Sequence, residues 1–406
     1  MKKMTFGRFD YADFAVMFAY AASSLVIPVV LVEAAGELHF ALDAGGMSRG
    51  GALQVGRSLS MVAAMLFCGF LAARFGLRKM LGAGALLMAL GITFAALSRW
   101  YWMLFAVLVA AGVGEGLVEG LATPVVQALH RDDEPGCYIN FTHGFWSIGI
   151  FVCVPVIGLL LARGFSWRIP VAGVGALALA AALLLLWPPG RVIPAVEGES
   201  HADFRGFLRR TGAILRRRRF WLFFAAMFFA GGGEFCLTFW CATLLRLEFH
   251  ATALTGGLGT ALFSAGMLLG RTGSGMLIDQ RHFPHLVVAA GAIGAVLTAI
   301  FPWVFQLRWI MILLFFAGLT SAPFWPSIQS YCADRLAELD STLIFVLLSC
   351  AGVPGCGIIT AVVGWFGDRW GLRQAFYAVS VCYLAMAGLI AYDMRRGGKN
   401  RGGRTK

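Results

Sequence analysis

The chain has 406 residues, of which 59% are hydrophobic and 13% are charged, and its formal net charge is +12. This composition excludes an ordinary soluble protein, in which about a quarter of the residues are charged. Apolar runs of about 20 residues, long enough to cross the hydrocarbon core of a bilayer, recur along the whole chain. Together with a mean hydropathy of +0.77, they predict an all-α integral membrane protein.

Twelve apolar runs predict twelve transmembrane helices. They cover residues 10–35, 51–73, 79–98, 100–128, 139–162, 168–187, 220–246, 253–279, 284–304, 308–330, 341–366 and 374–392. The first run is too long for the apolar part of a signal peptide and is interpreted as a membrane span. Because the number of spans is even, both termini are expected on the same side of the membrane.

The distribution of basic residues predicts which side that is. Of the 33 Lys and Arg residues, 23 fall in segments on the side of the termini, 8 fall in the opposite loops and two lie inside spans. Basic residues are enriched in cytoplasmic loops. We therefore expect a multi-pass protein of the cell (inner) membrane with both termini in the cytoplasm.

One long polar stretch interrupts the apolar pattern. Residues 188–219 are rich in arginine and divide the chain into a first unit, 1–187, and a second unit, 220–406, which ends in a basic tail. We interpret 188–219 as a basic cytoplasmic linker. It either tethers the two units or lies against anionic lipid headgroups.

Short patterns recur with identical spacing in corresponding spans of the two units. The pairs are Gly116-Leu117…Pro124…Gln127 with Gly318-Leu319…Pro326…Gln329, Val154-Pro155-x-x-Gly158 with Val353-Pro354-x-x-Gly357, and Gly69-x-Leu71-x-Ala73 with Gly275-x-Leu277-x-Asp279. Three matches predict an internal duplication into two pseudo-symmetric six-helix bundles. In transporters built this way, the substrate site lies between the repeats.

Two carboxylates stand one helical turn apart in the fourth span. A charged side chain at the bilayer centre costs about 2.5–3.5 kcal/mol on insertion scales, so Glu115 and Glu119 need a partner, a proton or an aqueous cavity. Ser321 occupies the position of Glu119 in the second half, which favours a coupling role for Glu119. Glu115 is a second candidate, alone or as a coupled pair with Glu119, and a structural role is open for both.

The loop between the second and third spans carries a family signature. The segment Gly69-Phe-Leu-Ala-Ala73-Arg74-Phe-Gly76-Leu-Arg78-Lys79 resembles the signature loop of the major facilitator superfamily. Ala73 replaces the usual aspartate, while Asp279 keeps an acid in the other half. The resemblance implies a gating role for Arg74, Arg78 and Asp279. Arg271 is predicted to pair with an acid or with carbonyl groups at the gate.

Within that superfamily, four motifs are similar to the fucose permease branch of proton-coupled solute importers. They are Glu119-Gly-Leu-Ala-Thr-Pro124, Asn140-Phe-Thr-His143, Gly233-Glu234 followed by Trp240, and Gly270-Arg271. The resemblance implies that Glu119 carries the proton. The fucose permease also has an aspartate within its first span, and Tyr20–Val32 here contains no acid.

The remaining candidates are polar or aromatic residues inside spans. His143 could relay a proton or be a packing histidine. Glu234 and Trp240 could hold a hydroxylated ligand between a carboxylate and an indole face. Arg57 either reaches the outer surface or binds an anionic substrate. The other predicted substrate contacts are Asn140, Trp325 and Gln329.

No phosphate-binding loop and no nucleophile–base pair is found, so neither an ATP-driven pump nor an enzyme is expected. The nine cysteines fit neither a disulfide framework nor a metal site, and no cofactor or nucleic-acid partner is predicted.

We interpret the chain as a monomeric secondary active transporter in the lipid bilayer. It is predicted to import a small polar solute, such as a sugar or a related metabolite, with protons by alternating access. The alternatives are a proton-driven exporter of drugs or amphipathic metabolites and a transport-inactive membrane sensor.

Overall fold

The computed structural model describes residues 5–130, 135–187 and 204–402. Its helices are α1 Arg8–Glu37, α2 Met47–Phe75, α3 Leu77–Ala95, α4 Tyr101–Leu129, α5 Pro135–Ala162, α6 Arg168–Leu186, α7 Phe204–Leu215, α8 Arg218–Glu248, α9 Ala253–Leu277, α10 Phe283–Ile300, α11 Leu307–Ser321, α12 Phe324–Arg335, α13 Ser341–Trp370, α14 Leu372–Ala375 and α15 Tyr377–Gly402. Twelve spans in this part of the chain are long and apolar enough to cross a membrane. The predicted all-α membrane fold with twelve transmembrane helices is confirmed.

Two of the spans are interrupted, which the hydropathy pattern did not predict. The tenth span consists of α11 and α12, separated by Ala322 and Pro323, and the twelfth consists of α14 and α15, separated by Phe376. Proline lacks the N–H group that continues a helix. Since α4 runs through Pro124 without interruption, the break at Pro323 depends on the packing around it as well as on the residue.

Equivalent arginines hold corresponding turns of the two bundles. Arg168, at the start of α6, donates to the carbonyl of Ser98 at 2.7 Å and lies 3.0 Å from the Glu37 carboxylate. Arg373, in α14, donates to the carbonyl of Val304 and lies 3.4 Å from the Glu248 carboxylate. Each arginine therefore ties the end of its bundle's first helix to the turn before its fourth span. This shared contact shows the pseudo-symmetry in side-chain detail.

The repeated glycines mark equivalent helix contacts. A Cβ atom at Gly116 would lie 2.3 Å from the carbonyl oxygen of Met61, and one at Gly318 would lie 2.0 Å from that of Phe263. Small residues let membrane helices approach this closely. The pattern therefore recurs because it sets the contact of α4 with α2 in one bundle and of α11 with α9 in the other.

The described residues of the two bundles share their larger hydrophobic core at one end. We call the side that carries both termini the terminus side and the opposite side the far side. One hydrophobic core joins the second bundle to the far half of the first. The terminus-side half of the first bundle has a core of its own, which Cys350 and Val353 of α13 join. The space between the bundles is therefore closed at the far side and opens toward the terminus side.

The predicted linker contains a helix that the sequence analysis did not anticipate. Helix α7 covers Phe204–Leu215, while residues 188–203 lie outside the described part of the chain. Arg210 lies 3.4 Å from Asp340, and Arg217 lies 3.3 Å from Glu338. These exposed pairs contribute little stability, but they place α7 beside the turn between α12 and α13. Contact of the linker with lipid headgroups stays a prediction.

We expect Gly116→Ala and Gly318→Ala to lower the thermal midpoint of the detergent-purified protein, since each new Cβ meets a backbone oxygen that cannot rotate away. Overpacking of this kind costs about 1–3 kcal/mol. Gly388→Ala is the matched control, because a Cβ there meets no atom within 4 Å. Equal midpoints for Gly116→Ala and Gly388→Ala would contradict the assigned helix contact.

Candidate functional site

A buried ion pair joins three helices of the first bundle. The Nε and Nη2 atoms of Arg57 (α2) donate to the Glu115 carboxylate (α4), and the Nε···Oε2 distance is 2.7 Å. Nη2 also donates to the Ser23 carbonyl of α1 at 2.7 Å, and the Ser23 hydroxyl donates to Glu115 at 2.8 Å. Both charged side chains are buried. The structure thus brings Arg57 and Glu115 together as partners inside the bundle, away from the space between the bundles.

Glu119 lies one turn further along α4 in a different environment. Its side chain is partly exposed, whereas Glu115 is buried. Its carboxyl group lies next to the Tyr20 hydroxyl of α1, and the charge of Arg271 in the second bundle reaches it. In the described part of the chain, no arginine or lysine forms an ion pair with Glu119. Of the two carboxylates, Glu119 is the one that faces the space between the bundles.

His143 lies beside Glu119 on the same wall. Its Nε2 atom is 2.9 Å from the hydroxyl of Thr123, which stands one turn after Glu119 on α4. The His143 side chain is exposed, and it lies in the space between helices of the two bundles. A hydroxyl contact leaves the second ring nitrogen available to a ligand or a proton.

The opposite wall carries an ion pair in the second bundle. Arg271 (α9) lies 3.1 Å from Glu234 (α8), and its Nε atom donates to the carbonyl of Ala322 at 3.4 Å. The guanidinium also lies 5.9 Å from the ring centroid of Trp146, on α5 of the first bundle. Arg271 therefore contacts both bundles. The Oε2 atom of Glu234 is buried and has no hydrogen-bond partner among the described residues.

We call a group of five side chains the central cluster: Tyr20, Glu119, His143, Glu234 and Arg271. The charge of Arg271 acts on both carboxyl groups and on the imidazole. With both carboxylates ionised and the histidine neutral, the cluster carries a net charge of −1. One proton makes the cluster neutral.

Other predicted substrate residues lie elsewhere. Trp240 is fully buried and donates to the carbonyl of Thr360 at 3.1 Å, in the closed far-side interface. The ring of Trp325 lies against Gly352 of α13. Gln329 donates to the Ser349 hydroxyl at 3.3 Å. The side chain of Asn140 lies outside the described residues.

The predicted gating residues are spread over separate environments. Arg74 is exposed, and its guanidinium lies 5.4 Å from the Phe75 ring centroid. Arg78 is buried 5.2 Å from the Phe9 ring centroid, and its Nη1 atom lacks a hydrogen-bond partner among the described residues. Asp279 is exposed and pairs with Arg281 at 3.1 Å. Only Arg271 of this predicted group belongs to the central cluster.

Sequence reasoning missed two members of this region. Tyr20 lies in an apolar run that contains no acid, so the sequence pattern did not mark it. Its phenol is the polar group that the first span contributes next to Glu119. Trp146 follows His143 by three residues, which places both on one face of α5. That spacing could have identified the tryptophan.

The far side is closed by polar contacts between the bundles, which we call the far-side clasp. Glu33 of α1 lies 2.6 Å from Arg246 of α8. The Asp368 carboxylate, near the end of α13, accepts hydrogen bonds from the backbone N–H groups of Met47 and Ser48, both at 2.8 Å. It thereby caps the N-terminus of α2, where the helix dipole favours a negative charge.

Removing one partner of the buried ion pair should destabilise the protein strongly. We expect Arg57→Met or Glu115→Gln to cost about 3–5 kcal/mol, because each leaves a buried polar partner uncompensated. The double variant Arg57→Met/Glu115→Gln should be less destabilised than the sum of the two single changes, because it leaves neither charge buried alone. Thermal unfolding of the purified variants measures the coupling, and additive effects of the two single changes would contradict it.

Weakening the far-side clasp should open the far side. We expect Glu33→Gln/Asp368→Asn to add a longer component to the distance between spin labels at Asp43 and Gln306, two exposed far-side positions. Labels are attached in a background without other reactive cysteines. The control is Asp334→Asn, whose carboxylate contacts Gln280 within the second bundle. An unchanged distance distribution in the clasp variant would rule out this role.

Comparison with known proteins gives one curated relative and many similar structures. The multidrug resistance protein MdtL of Shewanella oneidensis is 33% identical over 129 residues, a match that spans 31% of this chain and 32% of that relative. The nucleoside transporter NupG superposes with a TM-score of 0.76 at 13% identity, covering 95% of this chain and 99% of NupG. The E. coli fucose:proton symporter FucP superposes with a TM-score of 0.65 at 19% identity, covering 94% and 98%.

At these identities the structural likeness concerns the fold. The family profile described as Major Facilitator Superfamily matches residues 12–342, more than three quarters of the chain. Together with the twelve spans and the two six-helix bundles, this match shows that the chain belongs to the Major Facilitator Superfamily and is a membrane transporter, not an enzyme.

Proposed function

We propose that this protein is a proton-coupled importer of a small, neutral, polar solute, such as a sugar or a related metabolite. The observation that carries the proposal is the state of Glu119, a carboxyl group without an ion pair among the described residues, which faces the Arg271–Glu234 pair of the other bundle. Both halves of the site belong to one chain, so we propose that the monomer is the transporting unit.

The arrangement of the bundles supports alternating access. The far-side clasp closes one end, while the exposed His143 marks the open end. The pseudo-symmetry of the bundles supports a second state in which the far side opens and the terminus side closes. We place the terminus side in the cytoplasm of the inner membrane, where the basic segments favour it, so the described state faces inward.

The charge of the central cluster supports coupling to protons. While Arg271 stays paired with Glu234 and the solute is bound, closing the site around an ionised Glu119 would remove an unpaired carboxylate from water, which is costly. Protonation of Glu119 makes the cluster neutral and leaves Arg271 with Glu234. After the proton leaves toward the cytoplasm, the two carboxylates can share Arg271, which allows the empty carrier to return.

The solute is proposed to bind beside the coupling carboxyl group. The unpartnered Oε2 atom of Glu234 is a hydrogen-bond acceptor for a solute hydroxyl group, and Trp146 offers an indole face. His143 lies close enough to contact the solute as well as to relay a proton. Trp325, Gln329 and Asn140 stay proposed contacts, whereas the buried Arg57 and Trp240 are not part of this proposed site.

The substrates for which two of the similar structures are named are compatible with such a solute. NupG is a nucleoside transporter and FucP is a fucose:proton symporter. Both names denote transport of small hydroxylated molecules, and the second includes proton coupling.

A proton-driven exporter of cationic amphipathic compounds is the second candidate. The similarity to MdtL supports it, and so does the net negative charge of the ionised cluster. A monovalent cation would neutralise the cluster in place of the proton, so the two would move in opposite directions. A neutral solute cannot neutralise the cluster, so a proton has to do so. The solute and the proton would then move together. The charge of the substrate therefore decides between import and export.

Reconstituted protein separates the two functions. We expect neutral sugars or nucleosides to accumulate in proteoliposomes when a proton gradient is imposed, and cationic dyes to cause no proton release. Glu119→Gln mimics the protonated carboxyl group, so gradient-driven accumulation should fall to the level without a gradient. Exchange of labelled for unlabelled solute should stay within about threefold of wild type, because it needs no change in protonation.

Glu338→Gln is the control, since Glu338 is exposed on a turn and should leave accumulation unchanged. Wild-type accumulation by Glu119→Gln would sink the proposed coupling. Proton release driven by cationic dyes, without accumulation of neutral solutes, would favour the exporter.

A further inference from the structure

A groove of about 640 Å³ lies on the outer surface of the first bundle. Its walls come from three membrane-spanning helices, with Tyr11 to Phe18 on α1, Phe141 and Phe145 on α5, and Leu177 to Leu184 on α6. None of the described residues that line the groove is charged. Because the spans place this surface in the hydrocarbon region, its natural occupant is apolar.

Stacked aromatic rings form part of the walls of the groove. The rings of Phe14 and Phe145 stack with centroids 4.5 Å apart, and those of Phe6 and Phe141 stack at 4.8 Å. Stacking is a favoured arrangement of aromatic rings, and here it gives the groove an aromatic wall. Tyr11 and Phe141 are 61% and 44% exposed, which leaves their faces available to a ligand.

The groove extends over about two thirds of the depth of one leaflet. Tyr11 and Phe18 are seven residues apart, about 10 Å at the helical rise of 1.5 Å. Half of the hydrocarbon core measures about 15 Å. An acyl chain of the leaflet on the terminus side can therefore lie along α1 for most of its depth.

The mouth of the groove carries a cation. An adjoining recess of about 340 Å³ shares Phe6, Tyr11 and Leu184 with the groove and reaches Arg8. Arg8 is exposed and donates to the carbonyl of Trp187, just beyond α6. Among the described residues, no carboxylate lines the recess. Asp10 is buried, where it accepts a hydrogen bond from the Gly7 N–H at 2.8 Å and lies 2.6 Å from His130.

We propose that this groove binds one acyl chain of an anionic phospholipid, with the headgroup phosphate at Arg8. An apolar channel ending at a basic side chain matches such a lipid, and a basic side chain near the surface favours an anionic headgroup. The site is separate from the transport site. A Cβ at Gly149 would lie 2.6 Å from the Phe18 carbonyl oxygen, so close packing of α1 and α5 closes the groove on its inner side.

Photo-crosslinking tests the site in the full-length protein. Phosphatidylglycerol with a diazirine at the end of one acyl chain is added to the purified protein, and labelled peptides are mapped. We expect labelling to concentrate in residues 6–18 and 141–145 over residues 283–300, a lipid-facing stretch of α10. Phosphatidylcholine with the same chain should label the groove less. Even labelling of the three segments, or equal labelling by the two lipids, would overturn the proposal.

Variants separate the two parts of the site. Arg8→Gln should reduce the preference for phosphatidylglycerol over phosphatidylcholine about fivefold. Phe141→Ala should reduce labelling of the groove by both lipids, with Tyr11→Ala as a second variant if Phe141→Ala does not fold. Ile293→Ala, on the exposed face of α10, is the control and should change neither. An unchanged lipid preference in Arg8→Gln would refute the headgroup assignment.

Discussion

The cost of placing a carboxylate in the hydrocarbon layer governs this structure. Two glutamates one turn apart on α4 meet that cost in opposite ways. Glu115 is compensated by Arg57 and Ser23, which ties α4 to α2 and α1. Glu119 faces the space between the bundles, with a phenol beside it and the cation of Arg271 across from it. The first glutamate joins three helices of the bundle, and the second is the group that we propose changes its protonation state.

Duplication supplied the scaffold for this arrangement but not its charges. Gly116 and Gly318 set the same helix contact in both halves. At the position of Glu119, however, the second half has Ser321, whose hydroxyl lies 2.6 Å from the Tyr383 hydroxyl in a buried contact. In the second half, this position is therefore occupied by one of two neutral hydroxyl groups in contact. In the first half, the same position has an ionisable group. The shared packing of the bundles supports the proposal that they rock against each other, while only the first bundle has a carboxyl group at this position.

The fold was largely predictable, since the length of an apolar run and the repetition of a glycine pattern are local properties of the sequence. The site was predictable in part. Glu119, His143, Glu234 and Arg271 were selected as unusual polar residues in apolar runs, and the structure places them together. The pairing of Arg57 with a residue 58 positions later was not predictable, because hydropathy does not encode how a helix is rotated about its axis. For the same reason, hydropathy did not predict that Trp240 is buried in the far-side interface.

Helix α5 connects the proposed transport site with the proposed lipid groove. One face carries His143 and Trp146 toward the space between the bundles, and the other carries Phe141 and Phe145 toward lipid. Movement of the bundles must carry both faces together, because an α-helix transmits rotation along its length as a rigid element. The Trp146 ring meets Arg271, the cation that also holds Glu234. Any shift of α5 therefore changes the surroundings of the guanidinium on which the charge balance of the cluster depends. In the proposed mechanism, the charge of the substrate, the proton and the position of the bundles are linked through Arg271, and the cation that neutralises Glu119 decides the direction of transport.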